Sequence, residues 1–498
     1  MGGDGKFTYT IANNPYSFEY IDSAYKKLPQ SNGWIDAKIL KESYVVEKYD
    51  QFNYSSVYFH QRIDNHPLLY YSLVHTVCSL FPGQYSELFT MIVNLICILG
   101  MDILLIKLFE SIFGKTYYTI VPFSFLFFLL IMQQLYILSR MYMMLSFFCC
   151  WYLYIHWNLL NNKNMKKSSL IQMAICILLG TQTHYYFYVF AGCVTLIMLV
   201  YLLKQKKINT LFWYIYSGVV SIAVSWIIFP WIIWHVFFNQ MQKHTEVSRW
   251  SWDKLERYIS FLNDKLFNGN GVIVILTLIV LILLVLFKKK KQTQTVCTQT
   301  ERILFLGLSI GSSILYSFII FTLDEDVWYY SSPVYISFII WFSILVISLM
   351  EKVVNFSGRR ERYAVVATTF MLIFILQPWK TADFVEEYLE KDEINENFSR
   401  VADVYRQQDC IFVEQGEDNL FQGYWFEFGE YDEFKKISIA DYKEMGLQEQ
   451  DFAGRSSNDE LVIYAPTECE FDEECYQLLA DNGKYCVYQY ININGKAG

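Results

Sequence analysis

Three uninterrupted apolar runs, Leu88 to Ile106, Tyr118 to Leu138 and Ile303 to Leu323, constrain this chain more than any other feature. Each is about 20 residues long, the length of helix that crosses the hydrocarbon core of a bilayer. Between them the apolar residues are clumped rather than periodic, which excludes a single soluble domain, a disordered chain and a peripheral protein. The composition agrees, with 54% apolar and 18% charged residues in 498. The net charge of −9 conceals a split, because residues 379–498 carry −18 and the rest of the chain +9. A basic multispanning part followed by an acidic tail is expected, with nucleic acid as a partner of neither.

Ten spanning helices are expected near 88–107, 118–139, 141–160, 169–184, 185–203, 211–234, 271–287, 303–323, 333–350 and 363–379. Alternate loops hold the bases, among them Lys163, Lys166 and Lys167, then Lys204, Lys206 and Lys207, and Lys288 to Lys291. Arg140 is the one base in the opposite short loops. Bases beside membrane helices stay cytoplasmic, so residues 1–66, 235–270 and the tail are expected outside. The stretch 169–203 reads as a hairpin of two short helices turning near Thr183 and His184, which keeps both flanking lysine clusters on one side. An external N-terminal segment calls for a first helix upstream of Met1 to carry it across.

Three segments follow. Residues 1–87 form an external loop, in which 66–81 reads as an interfacial helix. Residues 88–379 form the membrane region, with external loop 235–270, where Leu255, Ile259, Leu262 and Leu266 recur at helical spacing after Trp252. Residues 380–498 read as an acidic extracytoplasmic α/β domain. Its expected strands are Cys410 to Glu414, Leu461 to Tyr464 and Tyr485 to Tyr490, with a helix over Asp472 to Asp481. The tail cysteines Cys410, Cys469, Cys475 and Cys486 allow three pairings, or none.

No Walker sequence, G-x-G-x-x-G, H-E-x-x-H or C-x-x-C occurs, so ATP-driven transport has no support within the chain. The polar residues of the outer face gather in few places. Asp4 lies in GDGKFTY, Asp64 and His66 in DNHPLLYY, Arg140 in SRMY and His184 in THYY. Each has an ordinary reading: a loop acid, a helix cap, a headgroup anchor and a turn histidine.

Together and in this order, these motifs resemble the GT-C glycosyltransferases, and more closely the bacterial branch of protein O-mannosyltransferases and lipid A aminoarabinose transferases. The D-x-H-P-P-L-x-Y motif of that branch is matched by Asp64, His66, Pro67, Leu68 and Tyr70, with Leu69 as an ordinary neighbour; if the motif is aligned on its first Pro instead, Leu68 stands in place of the second. Its A-R-M-Y motif is matched by Arg140, Met141 and Tyr142, with Ser139 in place of Ala. Asp4 matches the acidic motif of the first external loop, although the usual D-E pair reads Asp4-Gly5. The resemblance spans roughly residues 1–240 and implies an all-α polytopic fold in a bacterial plasma membrane. It also implies an inverting transfer of a sugar from a polyprenyl-phosphate donor to a lipid, glycan or protein acceptor on the outer face.

Under that resemblance Asp4 is the first choice of base and Asp64 the second, since a weakly nucleophilic hydroxyl needs a carboxylate to take its proton. Arg140, with Lys243 and Arg249 assisting, holds the donor phosphate. His66, Tyr70, Tyr142 and His184 bind substrate. No metal ligand set is legible; a divalent ion at Asp64 and His66 stays open as a cofactor. The rival readings are a transporter or lipid flippase, which would carry ionisable residues near mid-membrane, and a truncated, inactive glycosyltransferase.

Overall fold

The computed structural model describes residues 3–15, 34–64, 66–161, 166–239, 251–267, 269–272, 299–320, 328–353, 359–376, 397–406, 408–415, 425–445 and 461–491. Contacts divide the chain into two compact units. One comprises Met1–Ile63, Tyr71–Phe89 and Asp383–Gly498, the other Asp64–Tyr70 and Thr90–Ala382.

The second unit is helical. Six helices among the described residues are long and apolar enough to cross a membrane: Leu88–Phe113, Tyr142–Asn161, Tyr186–Lys204, Ile208–Ile228, Thr300–Ile320 and Tyr329–Glu351. The chain is a multi-pass membrane protein. A seventh span is reached if Thr116–Phe128 and Leu130–Ile137, bent by 61°, count as one. The bend breaks the expected span 118–139 at Leu129, whose backbone is extended. Gln133 Nε2 donates to the freed Phe127 carbonyl at 2.9 Å, which meets the demand that every backbone group in lipid find a partner.

The expected hairpin over 169–203 is present as Lys167–Thr181 and Tyr186–Lys204. Two other boundaries differ from expectation. The span 211–234 stops at Ile228, because a residue preceding proline disfavours the helical region and Phe229 precedes Pro230. A short helix, Trp231–Trp234, and a π-helix over His235–Asn239 follow. The expected span 271–287 lies outside the described residues, apart from its first two. The helix Arg359–Leu376, under the last expected span, is not among the six. The amphipathic segment after Trp252 is the helix Trp252–Phe267, with Leu266 buried and Trp252 exposed.

The first unit holds a six-stranded sheet in the order β1-β3-β2-β4-β6-β5. Its strands are β1 (Ile35–Asp36), β2 (Cys410–Glu414), β3 (Glu433–Ser438), β4 (Val462–Pro466), β5 (Tyr476–Asp481) and β6 (Tyr485–Tyr490). The central strands β2 and β4 pair in parallel and are buried on both faces, as their continuous apolar sequences require. Alternation along β2 sends Cys410 and Phe412 to one core and Ile411 and Val413 to the other.

Strand β1 comes from the N-terminal segment and pairs antiparallel with β3, so the two ends of the chain share a sheet. Tyr44 reinforces the join: its ring stacks on Phe426 at 4.0 Å, and its hydroxyl donates to the Phe426 carbonyl at 3.1 Å.

The helix expected over Asp472 to Asp481 is absent. Asp472 to Cys475 form a turn, in which Asp472 Oδ1 accepts the Glu474 N–H at 3.0 Å. The remainder is β5, an edge strand paired antiparallel with β6. Gly483 sits in the β5–β6 hairpin at φ 79°, a turn position rather than a helix end. Cys410, Cys469, Cys475 and Cys486 are all free thiols.

Candidate functional site

The Asp64–Tyr70 motif is anchored by backbone. The Leu69 N–H donates 2.8 Å to the carbonyl of Gln182, in the turn between Lys167–Thr181 and Tyr186–Lys204. That turn is itself pinned. Gln182 Nε2 donates to the Ser225 carbonyl at 3.0 Å, and the Thr181 and Ser225 hydroxyls are 2.9 Å apart. Short polar side chains at a helix junction thereby hold two sequence-distant motifs against each other.

Arg140 sits in a second fastened turn. Asn94 Nδ2 donates to the carbonyls of Tyr136 and Leu138 at 2.8 and 3.0 Å. The hydroxyls of Thr90 and Ser139 are 2.8 Å apart. The turn carrying the arginine is therefore built by the first long helix, and Tyr142 opens the next helix directly after it.

The side chains converge on His184. His66 Nδ1 is 2.8 Å from Asp64 Oδ2, and the His66 ring centroid is 5.8 Å from that of His184. Tyr142 lies at 5.3 Å from His184, Tyr186 at 4.8 Å and Tyr330 at 6.1 Å. Tyr329 packs on Tyr142 at 4.2 Å. The Tyr186 N–H donates to His184 Nδ1 at 3.1 Å. Burial first, then the charges of His66 and Arg140, pull the His184 imidazole well below its ordinary pKa. Burial, then Asp64, pushes the Tyr185 phenol up, and its hydroxyl is hydrogen-bonded to His235 Nδ1 at 2.6 Å.

Of the residues singled out from sequence, Asp64, His66, Arg140, Tyr142 and His184 are brought together. Tyr70 is fully buried at the end of the motif segment. Asp4 falls in the first turn of the helix Gly3–Asn13, in the other unit; its side chain lies outside what is described. Lys243 and Arg249 lie outside the described residues. Tyr186, Tyr329, Tyr330 and the Tyr185–His235 pair were not singled out. Their signal is aromatic residues at span ends, which also reads as an ordinary interfacial belt. Asp64 and His66 supply two donors toward a cation. No group of three His, Cys, Asp or Glu side chains fit to hold a metal occurs among the described residues.

Such an arrangement can bind a phosphate through Arg140 and enclose an uncharged ring among tyrosines. No protein-family model and no curated protein matches the chain. Solved structures do, among them two of one protein. ArnT from Cupriavidus metallidurans in the apo state superposes with a TM-score of 0.52 at 9% identity, over 95% of this chain and 97% of that one. The same protein bound to undecaprenyl phosphate gives 0.49 at 9% identity, over 99% and 94%. At 9% identity the likeness is one of fold, and a polytopic helical fold of this kind is what the motifs led us to expect.

Proposed function

We propose that the protein is a membrane glycosyltransferase that moves a sugar from a polyprenyl-phosphate carrier to a lipid, glycan or protein acceptor. What supports the reading is one observation: residues of three separate motifs, Asp64 with His66, Arg140 with Tyr142, and His184, converge in a unit with the ArnT fold. The donor class follows from the motif resemblance.

In the reaction an acceptor oxygen attacks the anomeric carbon from the face opposite the phosphate. The bond from that carbon to the phosphate oxygen breaks, and the configuration inverts. The acceptor proton passes to a carboxylate, Asp4 by motif and Asp64 as the alternative. The electron pair leaves on the phosphate, so no proton donor is required; Arg140, with Lys243 and Arg249, offsets the developing charge. Should a divalent ion take part, Asp64 and His66 would supply two of its donors; otherwise they would orient the acceptor. The topology that goes with this reading has ten spans in this chain and the acidic tail outside a bacterial plasma membrane.

The test is transfer from undecaprenyl phosphate carrying a radiolabelled hexose, with the full chain in proteoliposomes and extracted lipid, glycan and peptide acceptors. Transfer with inversion, reduced by roughly two to four orders of magnitude in Asp4→Asn, is expected. No transfer from any carrier-linked sugar overturns the reading. Near-normal turnover in Asp4→Asn moves the base to Asp64.

A further inference from the structure

Between the rings of His66 and Tyr142 sits an imidazole whose hydrogen bonding is half specified. His184 is 5% exposed, and its Nδ1 accepts the backbone N–H of Tyr186 at 3.1 Å. An imidazole nitrogen that accepts a hydrogen bond carries no proton, so in the neutral ring the proton resides on Nε2. The tautomer is thus imposed by the helix start at Tyr186, not by the solvent. No hydrogen bond from Nε2 is found among the described residues. Nε2 is not among the enclosed polar atoms that lack a partner, so its N–H stays open to an oxygen brought by something else.

The surroundings specify what that oxygen belongs to. The rings of Tyr142, Tyr186 and Tyr330 stand 4.8 to 6.1 Å from the imidazole, and Tyr186 and Tyr330 meet edge-to-face at 4.6 Å. Aromatic walls suit the C–H face of a sugar ring, whose hydroxyls need hydrogen-bond partners at the edge. A phosphate is served by the charge of Arg140, whereas a neutral N–H matches an uncharged hydroxyl or ring oxygen.

We propose that His184 is a neutral hydrogen-bond donor that reads an oxygen of the transferred sugar, in a subsite walled by Tyr142, Tyr186 and Tyr330. The proposal rests on the glycosyl-transfer reading for its ligand class, and it assigns His184 to sugar selection rather than to phosphate binding or proton transfer. It also distinguishes two replacements that look equally conservative. The glutamine amide reaches about where Nε2 lies and can donate there. The asparagine amide reaches only to Nδ1, so it meets the Tyr186 N–H but leaves the sugar without a donor.

The experiment measures binding of undecaprenyl phosphate, bare and carrying glucose, mannose or 4-amino-arabinose, to the full chain in nanodiscs. For at least one sugar the wild type should bind the sugar-bearing lipid more tightly than the bare one. His184→Asn should lower affinity for that lipid by roughly 3- to 10-fold, the worth of one hydrogen bond, and leave bare undecaprenyl phosphate unchanged. His184→Gln should restore most of the difference. Nitrogen-15 spectra of the histidine rings, assigned by the signal lost in His184→Gln, should report neutral His184 protonated at Nε2 at pH 6.

Equal losses for bare and sugar-bearing lipids, a charged ring, or a proton on Nδ1 would overturn the proposal. So would a wild type indifferent to every sugar. If sugar discrimination behaves as described but no acceptor is ever glycosylated, the transfer reading fails while the subsite stands.

Discussion

His66 Nδ1 and Asp64 Oδ2 are 2.8 Å apart, joining two residues separated by one position and both largely buried. The carboxylate accepts the Nδ1 proton and so fixes the orientation and tautomer of the ring that faces His184. Residues acting through one such bond are not additive. Asp64→Asn and His66→Gln should each lower kcat/KM for sugar transfer, and the double variant should be little worse than the worse single one. A coupling on the order of 1–3 kcal/mol in kcat/KM is expected from the double-mutant cycle. Additive effects would mean that the pair is not a functional unit.

Acid should destabilise the protein through its buried histidines. His184 is held well below 6.5, chiefly by burial. His75, in the other unit, is also lowered by burial, against an opposing pull from Asp50. Above pH 6.5 both rings are neutral folded or unfolded, and pH has no leverage through them. Below it the unfolded chain takes up protons that the folded chain refuses. Stability is therefore lost as pH falls, by up to about 1.4 kcal/mol per pH unit for each histidine. Thermal unfolding in detergent between pH 7.5 and 5 reads the slope, and His184→Gln should flatten it. An unchanged slope in that variant would remove His184 from the account.

What was legible from sequence divides along physical lines. Long apolar runs and the bases between them announce membrane helices, because bilayer thickness and charge placement act on composition alone. The turn at Thr183 and His184 was legible for the same reason, since both lysine clusters had to lie on one side. The break at Leu129 was not: it turns on Gln133 reaching the Phe127 carbonyl, a contact made only once the chain is folded. Nor was β5, because its acidic lead resembles a helix start, and only pairing with β6 decides between the two. Asp64, His66, Arg140, Tyr142 and His184 were found through their motifs. Asn94 and Thr90, which hold the Arg140 turn, were invisible as polar residues inside an apolar run.

Arg140→Lys keeps the charge but loses the planar fork that matches two phosphate oxygens. Donor affinity and turnover should both fall, by roughly tenfold or more in kcat/KM. Measuring binding of undecaprenyl phosphate beside transfer separates the two effects. Undiminished binding with lost turnover would assign Arg140 to the transition state alone.

Gly180 is where the site depends on the absence of a side chain. A Cβ there would lie 2.7 Å from three atoms of the Phe187 ring. That ring is fully buried and packs against Phe148 and Tyr152, so it has nowhere to go. Gly180→Ala should cost about 1–3 kcal/mol and push apart the two helices that frame His184. Scanning fluorimetry should register a lower Tm together with weaker transfer. A stable variant of normal activity would show that the helix junction yields more readily than its packing implies.

Arg302 and Glu351 test the other end of the helical unit. The guanidinium meets Glu351 Oε2 at 2.9 Å, donates to the Ile112 carbonyl at 3.0 Å and lies 4.3 Å over the Phe113 ring. Both side chains are largely buried, so removing one charge leaves the other without compensation in a poorly solvated place. Glu351→Gln preserves shape and an acceptor, yet should lose about 2–4 kcal/mol of stability. Removing both charges together, as Arg302→Met with Glu351→Leu, should recover much of that loss, since the pair's attraction is largely offset by its desolvation. The comparison is of unfolding midpoints in one detergent for the two variants and the wild type. If the double variant is no more stable than Glu351→Gln, the arginine contributes through its packing on Phe113 and its bond to Ile112 rather than through its charge.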